Sequence, residues 1–336
     1  MAIKTRQGLS GIWVLTFVFQ YFLRFNVLQF IGCFASLYIN KFVIYHIIIF
    51  IYQNWVGVLL NHNANIKRLG SWAVITGCTS GIGKAYALAL AKLGVNVVLL
   101  SRSNEKLKAV AKEVREFCGE KIQVKLIPVD FTGGLEIYQH IGNELRDLDI
   151  GILVNNVATC YPWPEYFVDL PNGQNFQKDM INCNMLSVVM MTSILLPRMV
   201  EKGKGAVVNV SSITSKVDSP FMTLYGATKT FVNKFTLDLA LEYEDRGVIF
   251  QSLVPGYVVS NMSKVKVPTF FIPTAEQFVD KALLMIGLSP QTAAYVSHQV
   301  IFEFIHLAHF LGRDMVAEIT STLWKQYWIL DVWKKT

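Results

Sequence analysis

The stretch Trp72-Ala-Val-Ile-Thr-Gly77-Cys-Thr-Ser-Gly81-Ile-Gly83, continued by Lys84-Ala-Tyr-Ala-Leu-Ala-Leu-Ala-Lys-Leu93, Gly94 and Val95-Asn-Val-Val-Leu-Leu-Ser-Arg102, decides the fold. An apolar β-forming run enters three spaced glycines, an apolar-periodic segment reads as a helix stopped by Gly94, and a second apolar run follows. Strand, glycine turn, helix and strand make the first βαβ unit of a dinucleotide-binding sheet. Each glycine has a mechanical reason. Gly77 permits the tight turn off the strand, Gly81 lets the backbone approach a pyrophosphate, and Gly83 lets the helix lie close to the sheet. Gly77, Thr79, Ser80, Gly81, Ile82 and Gly83 are therefore the candidate phosphate cradle. The free N–H groups and positive dipole end of the helix N-terminus suit an anion there.

Beyond Arg102 the alternation continues. Asn104 caps a helix to about Phe117, Val124–Val129 is a strand ending at Asp130, and Leu135–Arg146 is a helix. Gly151–Asn156 is apolar without alternation, as in a parallel sheet covered on both faces. Phe176–Met199 reads as a helix, Gly205–Val210 as a strand ending at Ser211-Ser212, and Tyr225–Arg246 as a helix. Val248–Val254 is a strand stopped by Pro255-Gly256, Thr274 caps a helix to about Gly287, and Ala293–Val296 is a seventh strand. The expected fold is α/β, a Rossmann-type doubly wound parallel sheet with right-handed crossovers over residues 67–296.

The two ends differ in kind. The chain of 336 residues is 52% apolar with mean hydropathy +0.38, oilier than an ordinary soluble enzyme, which points to a membrane as partner. Residues 1–66 are the expected transmembrane anchor. Phe42–Leu60 carries no charge and approaches the ~20 residues that span a bilayer. Ile12–Ile39, interrupted by Arg24, offers a second and poorer span, so one or two spans are expected. Lys4 and Arg6 before, with Lys67 and Arg68 after, put both ends of a two-span anchor in the cytosol. The run is too long for the core of a cleaved signal peptide. Residues 297–336 form an amphipathic tail for a membrane surface or for the substrate cleft. Glu303, His306 and His309 share one face of it, but without a water-activating partner they read as a wet stripe, and no metal is expected. Lys334-Lys335-Thr336 is similar to a dilysine retrieval signal one residue out of register, which bears on an endoplasmic-reticulum address. The net charge of +7 is scattered, with no aromatic-basic signature, which argues against nucleic acid as a partner. Five cysteines at 33, 78, 118, 160 and 183, without Cys-x-x-Cys spacing, read as reduced core thiols.

The chemistry is concentrated in Ser212, Tyr225 and Lys229. Tyr225-Gly-Ala-Thr-Lys229 puts a phenol and an ammonium on one helix face, a turn apart. A free tyrosine titrates near ~10 and is a poor acid–base group at neutral pH. A neighbouring cation, joined by the positive nicotinamide in the oxidised state, favours the phenolate, so Lys229 is expected to lower the Tyr225 pKa. Lys229 also suits the ribose hydroxyls of a nucleotide, completing a proton path. In a reduction, Tyr225 gives its proton to a carbonyl oxygen as hydride reaches the carbon, and the Ser212 hydroxyl bonds the same oxygen. Tyr-x-x-x-Lys alone occurs by chance on many helices; all three groups behind a nucleotide-binding turn are far more specific.

Thr76-Gly-Cys-Thr-Ser-Gly-Ile-Gly83, Asn155-Asn156, Ser212 and Tyr225-x-x-x-Lys229 resemble the short-chain dehydrogenase/reductase family over residues 70–296. More narrowly, Gly151-Ile-Leu-Val-Asn-Asn-Val157, Tyr161-Pro-Trp-Pro-Glu-Tyr-Phe167, Ile181-Asn-Cys-Asn184 and Ala227-Thr-Lys-Thr-Phe-Val232 are similar to its membrane-bound 17β-hydroxysteroid dehydrogenase group. That group takes in reductases of very-long-chain 3-oxoacyl-CoA and of 17-ketosteroids. The resemblance implies that Asn184 holds a water in the proton relay and that Asp130 contacts the adenine. It places Asn156 at the cofactor and Pro255, Val258 and Ser260 over the nicotinamide. A homodimer and partners in an elongase complex are implied as well. One departure is Ala158, where the family has glycine; its methyl falls near the nicotinamide ribose.

An acid at the end of the second strand would bond the adenosine 2′-hydroxyl, whereas arginine accommodates a 2′-phosphate. Ser101 and Arg102 stand there with no acid, so the expected cofactor is NADPH and the expected direction is ketone to alcohol. The loop Asn261–Pro273 follows the nicotinamide segment. Its Lys264 and Lys266 suit the phosphates of an acyl-CoA, and its Phe270 and Phe271 suit an acyl chain or a steroid; a lid with solvated charges reads equally well. The function expected is NADPH-dependent reduction of a lipid ketone, a very-long-chain 3-oxoacyl-CoA before a 17-ketosteroid, at the endoplasmic-reticulum membrane with the catalytic body facing the cytosol. The rivals are a catalytically silent cofactor-binding scaffold in a lipid-synthesis complex and a steroid-binding carrier.

Overall fold

The structure, a computed structural model, describes residues 6–119, 121–170 and 172–329. Lys4 and Lys334-Lys335-Thr336 lie outside the described residues. The chain divides into two compact units, Met1–Tyr52 and Gln53–Thr336.

In the first unit Arg6–Ile51 is one uninterrupted helix, α1, of 46 residues. Its length of about 69 Å is more than twice a bilayer's hydrocarbon core. The turn that two antiparallel spans require is not formed among these residues. The polar interruptions do not break the helix because they bond within it: Asn26 Nδ2 donates to Phe22 O at 3.0 Å and Asn40 Nδ2 to Ser36 Oγ at 3.4 Å. Phe17, Phe30 and Tyr38 stand exposed, which calls for an apolar surrounding. Thr16–Leu59 is long and apolar enough to cross a membrane, by length and composition. Gly173–Glu201 passes the same test but is half buried in the α/β body, as a core helix is.

The second unit runs β1 (Trp72–Thr76), α2 (Gly81–Lys92), β2 (Asn96–Ser101), α3 (Asn104–Cys118), β3 (Val124–Pro128), α4 (Glu136–Leu145) and β4 (Ile150–Asn155). Next come α5 (Gly173–Ile181), a π turn (Asn182–Leu186), α6 (Ser187–Glu201), β5 (Gly205–Val210) and α7 (Thr223–Glu242). The chain continues through β6 (Val248–Leu253), α8 (Ala275–Leu284), β7 (Gln291–Thr292), α9 (Val296–Leu311) and α10 (Arg313–Ile329). The strands pair parallel in the order β3-β2-β1-β4-β5-β6-β7. Ile75, Leu99 and Ile152 meet Ala87 and Leu90 of α2 and Phe278 of α8 on one face. Val74, Leu100 and Leu153 meet Ile141 of α4 and Met191 and Leu195 of α6 on the other. Chain direction across the sheet reverses between β1 and β4, so their carboxyl ends diverge into a crevice.

Local chemistry shifts several boundaries. Ser103, not Asn104, caps α3, its Oγ accepting Lys106 N at 3.3 Å. Thr274 caps α8 as expected, in a capping box closed by Gln277. The seventh strand is Gln291–Thr292 rather than Ala293–Val296, because side chains take the next two amides: Gln299 Oε1 accepts Ala293 N at 2.8 Å and Thr292 Oγ1 accepts Ala294 N at 3.0 Å. All five cysteines are free, but only Cys78 and Cys183 are core residues; Cys33 is exposed on α1.

Candidate active site

A cavity of about 430 Å³ opens at the carboxyl ends of the strands. It is lined by Gly77, Thr79, Ser80, Gly81 and Ile82, by Arg102, Asp130 and Asn156, by Ser212, Tyr225 and Lys229, and by Pro255, Val258 and Ser260. Ala158 forms part of its wall without closing it. Gly83 and Asn184 do not line it; they act one layer behind.

The glycine turn is built to admit a ligand's backbone-close phosphate. Gly77 (φ +66°) and Gly81 (φ +53°) both occupy the left-handed region. A Cβ on Gly83 would lie 2.4 Å from both Gly77 O and Asn156 Nδ2, so only glycine lets α2 seat this close to the turn. Ser80 precedes α2 without a side-chain cap, leaving the first helical N–H groups to whatever enters the cavity. Asn156 fixes the turn from behind, Nδ2 donating to Thr76 O and Gly77 O at 3.0 Å each. Thr76 completes the knot: its Oγ1 accepts Asn156 N and Val157 N at 3.0 Å each, tying the end of β1 to the end of β4. Asp130 lines the cavity with its carboxylate held by Thr132, whose N and Oγ1 both donate to Oδ1 at 3.0 Å. A dinucleotide therefore fits these residues, its pyrophosphate on the glycine turn and its adenosine end by Ser101 and Arg102.

The three groups of the proposed chemistry meet at this cavity. Ser212 lies two residues beyond β5 and accepts Thr214 N at 3.2 Å, which orients the hydroxyl and leaves its hydrogen to donate. Its hydroxyl also favours the ionised form of the Tyr225 phenol, against the larger effect of burial. Lys229 Nζ donates to Val210 O at 2.8 Å and lies 5.7 Å from the centroid of the Tyr225 ring. The protein's own groups act on Tyr225 in the direction opposite to the lowering expected of Lys229 joined by an oxidised nicotinamide. Burial of the phenol dominates and raises its pKa far above the ordinary value, with the Ser212 hydroxyl opposing it. The phenolate loses hydration in this pocket, and the Val210 carbonyl holds the Lys229 ammonium beside the ring. Burial acts on Lys229 too, bringing its ammonium down to about 8. The site thus holds a phenol that stays protonated at neutral pH, suited to giving a proton to a developing alkoxide. The neighbouring thiols are inert, Cys160 pushed up to about 12 and Cys183 to about 11 by burial.

Asn184 sits in the π turn between α5 and α6. Its Oδ1 accepts Thr159 N at 2.7 Å, and its Nδ2 donates to Thr159 O at 2.9 Å and Thr228 Oγ1 at 3.1 Å. Both side-chain N–H groups are used in these bonds, which lock the loop after β4 to the second turn of α7. Phe270 and Phe271 also depart from expectation: they are exposed and absent from the cavity wall. Lys264 is turned to the loop after β4, its Nζ donating to Pro162 O at 3.0 Å.

Other lining side chains carry no motif. Trp163, Met222 and Trp324 face the cavity, Trp324 arriving from α10 over a hundred residues beyond Ser212. His298, buried at the start of α9, receives Gly256 N at Nδ1 (3.4 Å) and has Nε2 3.0 Å from Phe271 O, a pattern satisfied when Nε2 carries the proton. Ser297 Oγ donates to Phe270 O at 2.8 Å. Together they tie the segment after β6 to the loop that follows it.

The family model described as short chain dehydrogenase matches residues 71–269, and the chain belongs to that family. Within it, the chain is similar to very-long-chain 3-oxoacyl-CoA reductase-B of Danio rerio, 43% identical over 251 residues that cover 74% of this chain and 80% of that protein. It is also similar to hydroxysteroid dehydrogenase-like protein 1 of Gallus gallus, 45% identical over 241 residues covering 70% and 72%. Among solved structures it is similar to a short-chain dehydrogenase from Sphingobium yanoikuyae in complex with NADPH, with a TM-score of 0.59 and 25% identity over 72% of this chain and 95% of that one. The protein is accordingly an oxidoreductase with a site for a nicotinamide cofactor.

Proposed function

We propose that the protein reduces the keto group of a very-long-chain 3-oxoacyl-CoA to a hydroxyl with NADPH, at the endoplasmic-reticulum membrane and with its α/β body in the cytosol. The observation that carries this reading is a buried Tyr225 lining one cavity with Ser212 and Lys229. The glycine turn Gly77–Gly83 would hold the pyrophosphate, Arg102 the 2′-phosphate, and Lys229 the nicotinamide ribose. Bound there, NADPH supplies the hydride for the carbonyl carbon. Ser212 donates to the carbonyl oxygen and sets its position. Tyr225 releases its proton to that oxygen as negative charge develops on it, and Lys229 steadies the phenolate left behind. The acyl-CoA is favoured over a steroid by the reductases of that substrate among the relatives, the steroid being the second reading because of the hydroxysteroid dehydrogenase-like relative.

The test is NADPH oxidation by the detergent-solubilised full chain on paired substrates. A long-chain 3-oxoacyl-CoA is expected to be turned over with kcat/KM at least ~100-fold above androstenedione or estrone. A steroid preference would reverse the order of the two readings, and no oxidation with either would leave the scaffold.

A further inference from the structure

We propose that the loop Asn261–Pro273 and the outer stripe of α9 form one surface that lies on an anionic lipid bilayer, so that the cavity mouth opens at the membrane. The loop exposes Val267 (70%), Phe270 (68%) and Phe271 (56%), the two rings packed edge to face at 5.1 Å. The hydrogen bonds from Ser297 to Phe270 O and from His298 to Phe271 O fasten this loop to the start of α9. That helix buries His298, Gln299 and Phe302 and turns Val300, Ile301 and Phe304 outward, so its exposed apolar stripe adjoins the exposed aromatics of the loop. Water-facing surfaces rarely gather so many large apolar groups in one place.

Charge selects the occupant. From Pro255 to Thr274 the ionised side chains are Lys264 and Lys266, with no acid among them. Aromatic rings and lysines without carboxylates give this loop the profile of a segment seated at the headgroup level of anionic lipid, and Glu303, the acid of α9, is engaged by Gln299 Nε2 at 2.6 Å. The same stretch supplies Tyr257, Met262 and Ser263 to the cavity wall, and Lys264 holds it to Pro162 across from them. A surface so placed would admit an acyl chain directly from the bilayer; this purpose, though not the surface itself, rests on the lipid-ketone reading.

The full chain is placed in nanodiscs of phosphatidylcholine with or without phosphatidylserine and treated with a membrane-impermeant maleimide. Alkylation is read peptide by peptide for Phe270→Cys and for Leu241→Cys, an exposed position about 24 Å along α7 from Tyr225. Phe270→Cys is expected to react about tenfold more slowly than Leu241→Cys in discs with phosphatidylserine, and faster when that lipid is omitted. Equal rates at the two positions overturn the proposal. So does protection that follows protein concentration rather than lipid composition, which would mean a second copy covers the patch. Phe270→Cys protection in a preparation that oxidises no NADPH would keep the surface and remove the lipid-reductase reading.

Discussion

Tyr225→Phe is expected to lower kcat about a thousandfold while leaving the melting temperature and NADPH affinity close to wild type. The phenyl ring keeps the packing of a side chain that is buried in the wall of the cavity, and only the hydroxyl and its proton are lost. Stopped-flow NADPH oxidation together with a fluorescence titration separates the two effects. A variant within a few-fold of wild type would mean that the proton comes from elsewhere. The same relay sets the pH profile. Lys229 holds its proton up to about 8 in the folded protein and to ~10.5 in the unfolded chain. Because the unfolded chain binds the extra proton between those values, stability rises with pH across that window. Activity runs the other way: kcat/KM, which reports the free enzyme, is expected to fall as pH passes about 8 and the ammonium beside Tyr225 is lost.

Gly83→Ala is expected to cost about 2–3 kcal/mol of stability and to weaken NADPH binding more than ~10-fold. The added methyl meets Gly77 O and Asn156 Nδ2 at 2.4 Å, one of them backbone, and Asn156 is itself pinned to Thr76 and Gly77. Relief requires α2 to lift from the turn, which moves the N–H groups meant for the pyrophosphate. Gly94→Ala is the control. Gly94 has φ +87° and nothing within 4 Å of its would-be Cβ, so the cost there is backbone strain alone, far from the cradle. Calorimetry and NADPH titration of both variants check this; equal cofactor affinity in the two would show that the close seating of α2 is not what shapes the cradle.

The sheet and the phosphate cradle were legible because their causes are local. Apolar runs, spaced glycines and a stop at Gly94 state the βαβ unit in thirty residues, and Ser212, Tyr225 and Lys229 fall at strand and helix positions the alternation already places together. Quantities set by depth were not legible. The order of sequence puts a cation near Tyr225, but the sign of its pKa shift depends on how much water the fold removes. Phe270 and Phe271 looked like substrate contacts by composition; their outward placement depends on the clamp from Ser297 and His298, which arrives from a helix with no motif. Trp324 was invisible for the same reason. The anchor was readable as apolar but not as unbroken, since Asn26 and Asn40 look like interruptions until their bonds inside the helix are seen.

Hydride and proton are expected to reach one carbonyl in the cavity shared by Ser212, Tyr225 and Lys229. The most direct measurement of this is the fate of deuterium when the full chain is incubated with a long-chain 3-oxoacyl-CoA and NADPH deuterated at C4, with the product read by mass spectrometry. Deuterium is expected on the new carbinol carbon in wild type, with almost no labelled product formed by Tyr225→Phe in the same time. Product without the label, or equal labelled product from the variant, would contradict it.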